Sequence, residues 1–488
     1  MRVILAEKPS VAQSIAAVLG ADQKKNGYLQ GENDLVSWCI GHLIELAPPE
    51  IYDARYAKWR REDLPIVPSV WESVVSDGTK KQFAVLKELL NRADVDEVVC
   101  ATDAGREGEL IFRMVYEKTG CTKPVKRLWI SSLEESAIRE GFRSLKPGTA
   151  YDALYRAALC RAQADWLVGI NGTRLYSRLY GTKLNVGRVM TPTLAMLVQR
   201  EQEIAAFRVE PFYTVQFSCG FLAQSGRMKT REEAERIRAA CHCQKAAVKH
   251  IERRQKKEKP PKLYDLTALQ RDANRIYGYT AQQTLDYAQT LYEKKLATYL
   301  RTDSRFLTHD LRDKLPALIE CVAQVLPFAS GLPLAARVEQ VICDEKVSDH
   351  HAIIPTQNMT REALAQLPMG ERSILTLLAV RLLAATGEPC ETDEVAVTLD
   401  CEGHDFTAKG STVRQMGYRV FEETFRGSLG SREWKEQEYP IAPLEDGQTV
   451  GPVVATIREG QTTPPKRYTD VIFCERKEWI GIEERSSA

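Results

Sequence analysis

The chain has 488 residues, of which 44% are hydrophobic and 27% charged, and its 67 Lys and Arg against 66 Asp and Glu leave a net charge of +1. That composition excludes an intrinsically disordered chain, and at about 150 residues per domain the length calls for roughly three or four domains. The balanced charge excludes a uniformly basic nucleic-acid binder, so any such site must be a local patch. No apolar run reaches the ~18 residues of a membrane span, and Met1 leads into a strand without signal-like features, so a soluble intracellular protein is expected. The 12 cysteines contain no Cys-x-x-Cys pair, which predicts reduced thiols and no zinc ribbon.

Arg2 to Ala6 is a short apolar run suited to a buried strand. Glu7-Lys8-Pro9 follows, then Ser10-Val-Ala-Gln13 with a capping-box pattern, then Val11, Ile15 and Val18 at helical spacing. A second unit of this kind runs from Glu97 to Thr102 as a strand, through Asp103-Ala-Gly-Arg-Glu-Gly-Glu109, into a helix carrying Leu110, Ile111, Met114 and Val115 that stops at Gly120. Functional residues of parallel sheets collect beyond the carboxyl ends of the strands, so the two units side by side would bring Glu7 toward Asp103, Glu107 and Glu109. Carboxylates ~4 Å apart repel by about 1 to 4 kcal/mol, which a divalent cation relieves, and hard oxygen donors favour Mg²⁺ over zinc. A helix N-terminus that attracts acids would explain Glu107 and Glu109, but not Glu7 and Lys8.

Further along, Trp166 and Ile170 stand at helical spacing within Cys160 to Arg174, and Pro211 to Ser218 alternates like a half-buried strand. Arg253 to Lys262 holds six cations and one acid, Glu258, and with Pro260-Pro261 is expected to be a solvated linker. Asp265 to Tyr277 and Thr280 to Lys295 predict two helices across Gly278, a DNA-binding helix-turn-helix or plain packing.

Leu296-Ala-Thr-Tyr-Leu-Arg-Thr-Asp-Ser-Arg305 then places Tyr299 two residues before Arg301. A tyrosine has a pKa near ~10, so ionising it at neutral pH costs roughly 4 kcal/mol unless the charge is stabilised. In an extended segment Arg301 shares a face with Tyr299, which suits a phosphate under attack by a tyrosine nucleophile. The competing reading is an edge strand with a packed tyrosine and a surface ion pair. By themselves, His350 and His351 read as hydrogen-bonded structural histidines more than as catalytic ones. Glu394 to Asp400 alternates again, and no Gly-x-x-x-x-Gly-Lys-Ser/Thr loop occurs.

Ala6-Glu-Lys-Pro-Ser10 with Thr102-Asp-Ala-Gly-Arg-Glu-Gly-Glu109 resembles the toprim domain, and Thr298-Tyr-Leu-Arg-Thr-Asp-Ser304 resembles the tyrosine motif of type IA DNA topoisomerases. Cys160 to Arg174, Val186-Gly-Arg-Val-Met-Thr-Pro-Thr193 and His350-His-Ala-Ile-Ile-Pro-Thr356 look like that family's groove and histidine segments, nearest to its topoisomerase III branch, over roughly residues 1 to 470. The resemblance implies a multidomain α/β plus α+β chain. An N-terminal Rossmann-like toprim domain (1–150) is followed by a toroidal core of a helical DNA-groove part (151–210), a β-rich hinge (211–262), a helical tyrosine domain (263–380), the second half of the hinge (381–440) and the rest of the groove domain (441–488).

It further implies cleavage and religation of single-stranded DNA without ATP, through a 5′-phosphotyrosyl link that relaxes or decatenates DNA. Tyr299 is the nucleophile, Arg301 holds the phosphate, Lys8 and Glu7 serve proton transfer and charge, and His351 sits near the phosphate or the acidic cluster. Glu7, Asp103 and Glu107 would hold Mg²⁺, with no zinc, and Arg161, Asp165, Arg174, Arg188, Thr191 and His350 would contact DNA. The implied partners are single-stranded and underwound duplex DNA, with no membrane; the protein is expected to be a monomer in a bacterial cytoplasm, associated with the nucleoid or a mobile element. Two departures stand out. The family's Asp-x-Asp-x-Glu reads Asp103-Ala-Gly105-Arg-Glu107, one metal ligand short, for which Glu107 or Glu109 is expected to compensate. After Asp470 the short charged stretch Val471 to Ala488 replaces the family's further helical portion, so the chain looks truncated, and an impaired single-stranded-DNA-binding remnant is the alternative expectation.

Overall fold

The computed structural model describes residues 1–131, 133–347, 350–430 and 441–469, and the expectation made for Val471 to Ala488 lies outside them. Among the described residues, two seven-stranded sheets and one two-stranded sheet form, and the two large ones organise the fold. In the first the order is Gln23–Lys25, Tyr28–Gln30, Asp34–Trp38, Arg2–Ala6, Glu97–Ala101, Val125–Arg127 and Lys146–Pro147. The central strands are parallel. Val3, Ile4 and Leu5 face Val98, Val99 and Cys100 with no exposed surface, because a parallel sheet covered by helices on both faces needs continuous apolar strands.

Register decides what this sheet presents. Ala6 pairs with Ala101, so the chain leaves both strands at the same level, and Glu7 and Asp103 emerge as neighbours. The helix Pro9–Leu19 begins one residue before the expected capping box: Lys8 is its N-cap, without a side-chain cap, and Pro9 stands in its first turn. Proline is preorganised for that position, so it moves the start of the helix forward and strands Ser10 inside. Gly20 and Gly120 end the helices Pro9–Leu19 and Arg106–Thr119 in left-handed geometry, φ 74° and 72°.

The second sheet is antiparallel, in the order Thr449–Val450, Ala246–Glu258, Cys390–Cys401, His404–Gln415, Leu222–Ser225, Pro211–Ser218 and Val454–Gln461. Phe217 and Phe406, with ring centroids 4.4 Å apart, centre its core. The basic run is no linker. Through Glu258 it is part of a long strand, and its cations are answered across the ladder, Lys256 by Glu394 at 3.2 Å and Lys257 by Glu391 at 2.9 Å. Residues 449–461, expected beside the helical groove, add two strands to this sheet.

Between Glu258 and Cys390 the chain leaves the sheet and builds a helical unit from Leu266–Tyr277, Ala281–Glu293, Leu315–Val325 and Met369–Ala385. Thr280 and Gln283 form a capping box, and Gly278 (φ 71°) makes the turn between the first two helices. Met369–Ala385 is buried on nearly every side, the spine around which the others pack. By contrast Met190–Ala206, which follows the 29-residue helix Asp152–Tyr180, buries none of its residues.

Candidate active site

Glu7 and Asp103 meet at the carboxyl ends of adjacent strands, where the Asp103 backbone N–H donates to Glu7 Oε2 at 3.3 Å. The Tyr299 hydroxyl reaches them from the helical unit and donates to Asp103 Oδ2 at 3.0 Å, across 196 residues of sequence. Tyr299 is only 7% exposed, and its backbone N–H donates to the Ser131 carbonyl at 3.1 Å, so segment and sheet are docked.

Burial, only partly offset by nearby cations, governs the electrostatics. It raises the Asp103 carboxyl above its ordinary range, against the pull of Lys8, the Tyr299 hydroxyl and Arg301. Glu7 is pushed up to about 7, by burial first and by the Asp103 charge second. The Tyr299 phenol is raised well above 10, by burial and then by the two carboxylates, with Arg301 opposing. Arg301 is exposed and Lys8 half-buried, two cations beside two crowded carboxyls.

Glu7 binds its proton more tightly folded than unfolded, so between its ordinary 4.5 and about 7 the folded state holds more protons and stability falls as pH rises. The stability gained on Glu7→Gln, measured in urea with chelator present, is therefore expected to grow from about pH 5 to about pH 8 by on the order of 2 kcal/mol. A gain independent of pH would contradict this.

The two histidines exchange their expected places. His351 is buried, with Nδ1 2.7 Å from the Ala352 carbonyl; it lines a cavity of about 250 Å³ with Lys314 and Glu134 and does not reach the tyrosine. His350 lies against Tyr299, ring centroids 4.4 Å apart. Its Nε2 meets the Ala104 carbonyl and its Nδ1 the Ser131 hydroxyl at 2.9 Å, which assigns the proton to Nε2. Burial lowers its pKa to about 3, so the ring is neutral and orients the tyrosine without adding charge. A residue expected on DNA thus holds the tyrosine, and the residue expected near the phosphate faces another cavity.

The acidic cluster is smaller than expected. Glu107 is paired with His42, which holds its carboxyl below the ordinary range, with Arg161 and Arg106 adding to this. Glu109 is 1% exposed and points into the core, 3.1 Å from Arg127 and 2.9 Å from Arg113, and does not compensate for Gly105. Among the described residues no three His, Cys, Asp or Glu side chains are gathered to hold a metal. His42, Ser131 and Arg127 shape the site, yet no spacing in the sequence marks them.

Of the expected DNA contacts, Asp165 and Arg188 pair with each other at 2.8 Å, each about two-fifths exposed. Arg161 adds positive charge near Glu107, and the Thr191 hydroxyl accepts the Gly187 N–H at 3.1 Å. Arg174 is turned inward: buried, it donates to the Tyr56 carbonyl at 2.7 Å and lies over the Trp59 ring at 5.4 Å, fastening that loop to the long helix. No helix among the described residues is long and apolar enough to cross a membrane.

The chain is similar to known proteins in both sequence and fold. The family described as DNA topoisomerase matches residues 149–475, and the toprim domain matches residues 2–133. The chain is similar to a DNA topoisomerase 3 of Bacillus licheniformis, 41% identical over 485 residues, covering 96% of this chain and 66% of that protein. A DNA topoisomerase 3 of Bacillus subtilis is 40% identical over 482 residues, with 96% and 66% covered. The chain therefore spans about two thirds of the length of the curated relatives it matches. The full-length topoisomerase I structure from Thermotoga maritima superposes with a TM-score of 0.75 at 24% identity, over 99% of this chain and 76% of that one.

Proposed function

Since the chain belongs to the type IA DNA topoisomerases, on the topoisomerase III branch, we propose that it cleaves and religates single-stranded DNA through Tyr299, without ATP. The observation that carries this reading is the hydrogen bond from Tyr299 Oη to Asp103, which joins the tyrosine segment to the acidic end of the first sheet. Tyr299 Oη bonds to the phosphorus of a phosphodiester, the bond from phosphorus to O3′ breaks, and the 5′ phosphate stays on the tyrosine. Burial opposes a free phenolate, so the proton leaves along the existing bond to Asp103 as attack proceeds. The leaving O3′ takes a proton from Lys8, or from Glu7 where no metal is bound to it, since its metal-free pKa of about 7 lets it both give and accept one at neutral pH. Arg301, exposed beside the tyrosine, binds the phosphate charge. Religation is the reverse, with the energy kept in the phosphoester.

Mg²⁺ fits the crowded Glu7 and Asp103 carboxyls, a pair of hard oxygen donors held close against their repulsion, and when bound would supply charge that positions the phosphate. Glu107 joins them only by releasing His42. Gly105 has extended backbone and nothing within 4 Å of where a Cβ would stand, so Gly105→Asp is tolerated. It is expected to tighten Mg²⁺ by about tenfold, read as a thermal shift against Mg²⁺ concentration, which probes affinity apart from turnover; equal affinity in both proteins would count against this metal set.

The same reading takes residues 1–150 as the toprim domain, 151–210 and part of 441–488 as the groove, 211–262 and 381–440 as the hinge, and 263–380 as the tyrosine domain. It makes the partner single-stranded or underwound DNA and the protein an intracellular monomer. The rival of an impaired binding remnant is less well supported, because the tyrosine and the acidic pair are in contact. The test is a denaturant-resistant adduct with labelled single-stranded DNA and Mg²⁺.

A further inference from the structure

The helical unit bearing Tyr299 is an insertion between residues 259 and 389, and both of its chain connections to the second sheet line one cavity of about 520 Å³. Lys259, Pro260, Pro261 and Lys262 form the outgoing connection, and Pro389 closes the returning one. We propose that this cavity binds a nucleoside phosphate.

Its volume lies in the range of small-molecule sites. Its walls carry four cations, Lys257, Lys259, Lys262 and Arg305, and no acidic side chain, while the remainder is largely apolar, supplied by the prolines and Phe306. An inorganic anion would leave that apolar surface unused, and an apolar molecule would leave the charges of Lys259 and Lys262 unanswered; a phosphate joined to a planar base and a sugar satisfies both. The cations are not equally free. Lys257 is held by Glu391 at 2.9 Å and Arg305 by Asp265 at 3.7 Å and the Leu263 carbonyl at 3.1 Å. Lys262 lies 5.2 Å above the Phe306 ring, a weak hold that a phosphate would outbid, and Lys259 is exposed. Arg381 of the helix Met369–Ala385 donates to the Lys262 carbonyl at 3.2 Å, which fixes the outgoing connection to the buried spine of the unit.

A bound nucleotide would touch both connections at once. Tyr299 must separate from Asp103 for a strand to pass, and the insertion turns on these connections, so occupancy would slow that separation. This consequence rests on the proposed function, whereas the binding itself does not.

The test is calorimetric titration of the full chain with ADP, adenosine and inorganic phosphate in turn. ADP is expected to bind saturably, with adenosine and phosphate each at least about tenfold weaker. Lys259→Glu with Lys262→Glu should weaken ADP by about tenfold or more, while Lys259→Arg with Lys262→Arg stays within about threefold. Competition by a short oligothymidylate would assign the cavity to a nucleotide of a DNA strand, and its failure to compete would assign it to free nucleotide; either keeps the proposal. No saturable ADP binding by the folded chain overturns it. So does binding that survives the double Glu variant, or that is lost instead in Lys8→Met, which would place the nucleotide at the acidic pair.

Discussion

Tyr299→Phe is expected to abolish the covalent DNA adduct, a loss of at least about 10⁴-fold at the detection limit of a labelled band, while single-stranded DNA binding changes by less than about threefold. The expectation is sharp because one oxygen is removed and little else. The ring keeps its contacts to His350 at 4.4 Å and to Tyr292 at 5.2 Å. Only the donor to Asp103 disappears. A buried acceptor losing its donor costs about 1 to 3 kcal/mol, but Asp103, already raised toward its neutral form, can take a proton in place of the lost donor, so the observed destabilisation should fall near the lower end. An adduct that persists in Tyr299→Phe would sink the assignment of the nucleophile. Absence of both adduct and binding in the unaltered chain would sink the functional reading with it.

Much of the architecture was visible in the sequence where it depended on neighbours along the chain. Val3 to Ala6 and Val98 to Ala101 are apolar runs that are buried, so local pattern and final burial agree there, and Pro211 to Ser218 forms the strand its alternation predicts, though Thr214 is buried beside Val215. The failures share a different cause, that the deciding partner lies far away. The cations at 253–262 looked like a linker because the acids that answer them, Glu391 and Glu394, stand more than 130 positions later on a paired strand. Glu109 looked like a metal ligand because Arg127, which takes it into the core, comes from a third strand. His350 and His351 are identical neighbours, and which one turns to the tyrosine depends on where Ser131 and the Ala104 carbonyl have been placed by the other sheet. Lys8 is a different case: Pro9 was in plain view, and its preference for the first turn overrode the capping pattern.

Arg127 carries the second large effect, and it acts on the site through the backbone. Its side chain has no exposed surface, and its guanidinium donates to the carbonyls of Cys100 at 3.1 Å, Thr102 at 2.7 Å, Asp103 at 2.7 Å and Leu128 at 3.0 Å, beside Glu109 at 3.1 Å. It therefore ties off the strand end from which Asp103 projects. Arg127→Met fills much of the volume but takes the guanidinium donor from the Thr102, Asp103 and Leu128 carbonyls, while Cys100 keeps the Leu128 N–H at 2.9 Å, and leaves Glu109 with Arg113 as its one cation, so a loss of about 3 to 5 kcal/mol is expected in urea unfolding. Adduct formation should fall at temperatures where the variant is fully folded, with DNA binding nearly unchanged, because Asp103 would no longer be held against Tyr299 Oη. A general loss of stability would not separate those two readouts. Adding Glu109→Gln removes the charge left under-compensated, while Arg113 keeps Asp152 at 2.8 Å, so the double variant should recover about 1 to 2 kcal/mol of stability. It should not recover cleavage, since the carbonyls of Thr102 and Asp103 remain unheld. Recovery of both together would mean that the buried charge, and not the fastening of the strand end, is what Arg127 provides.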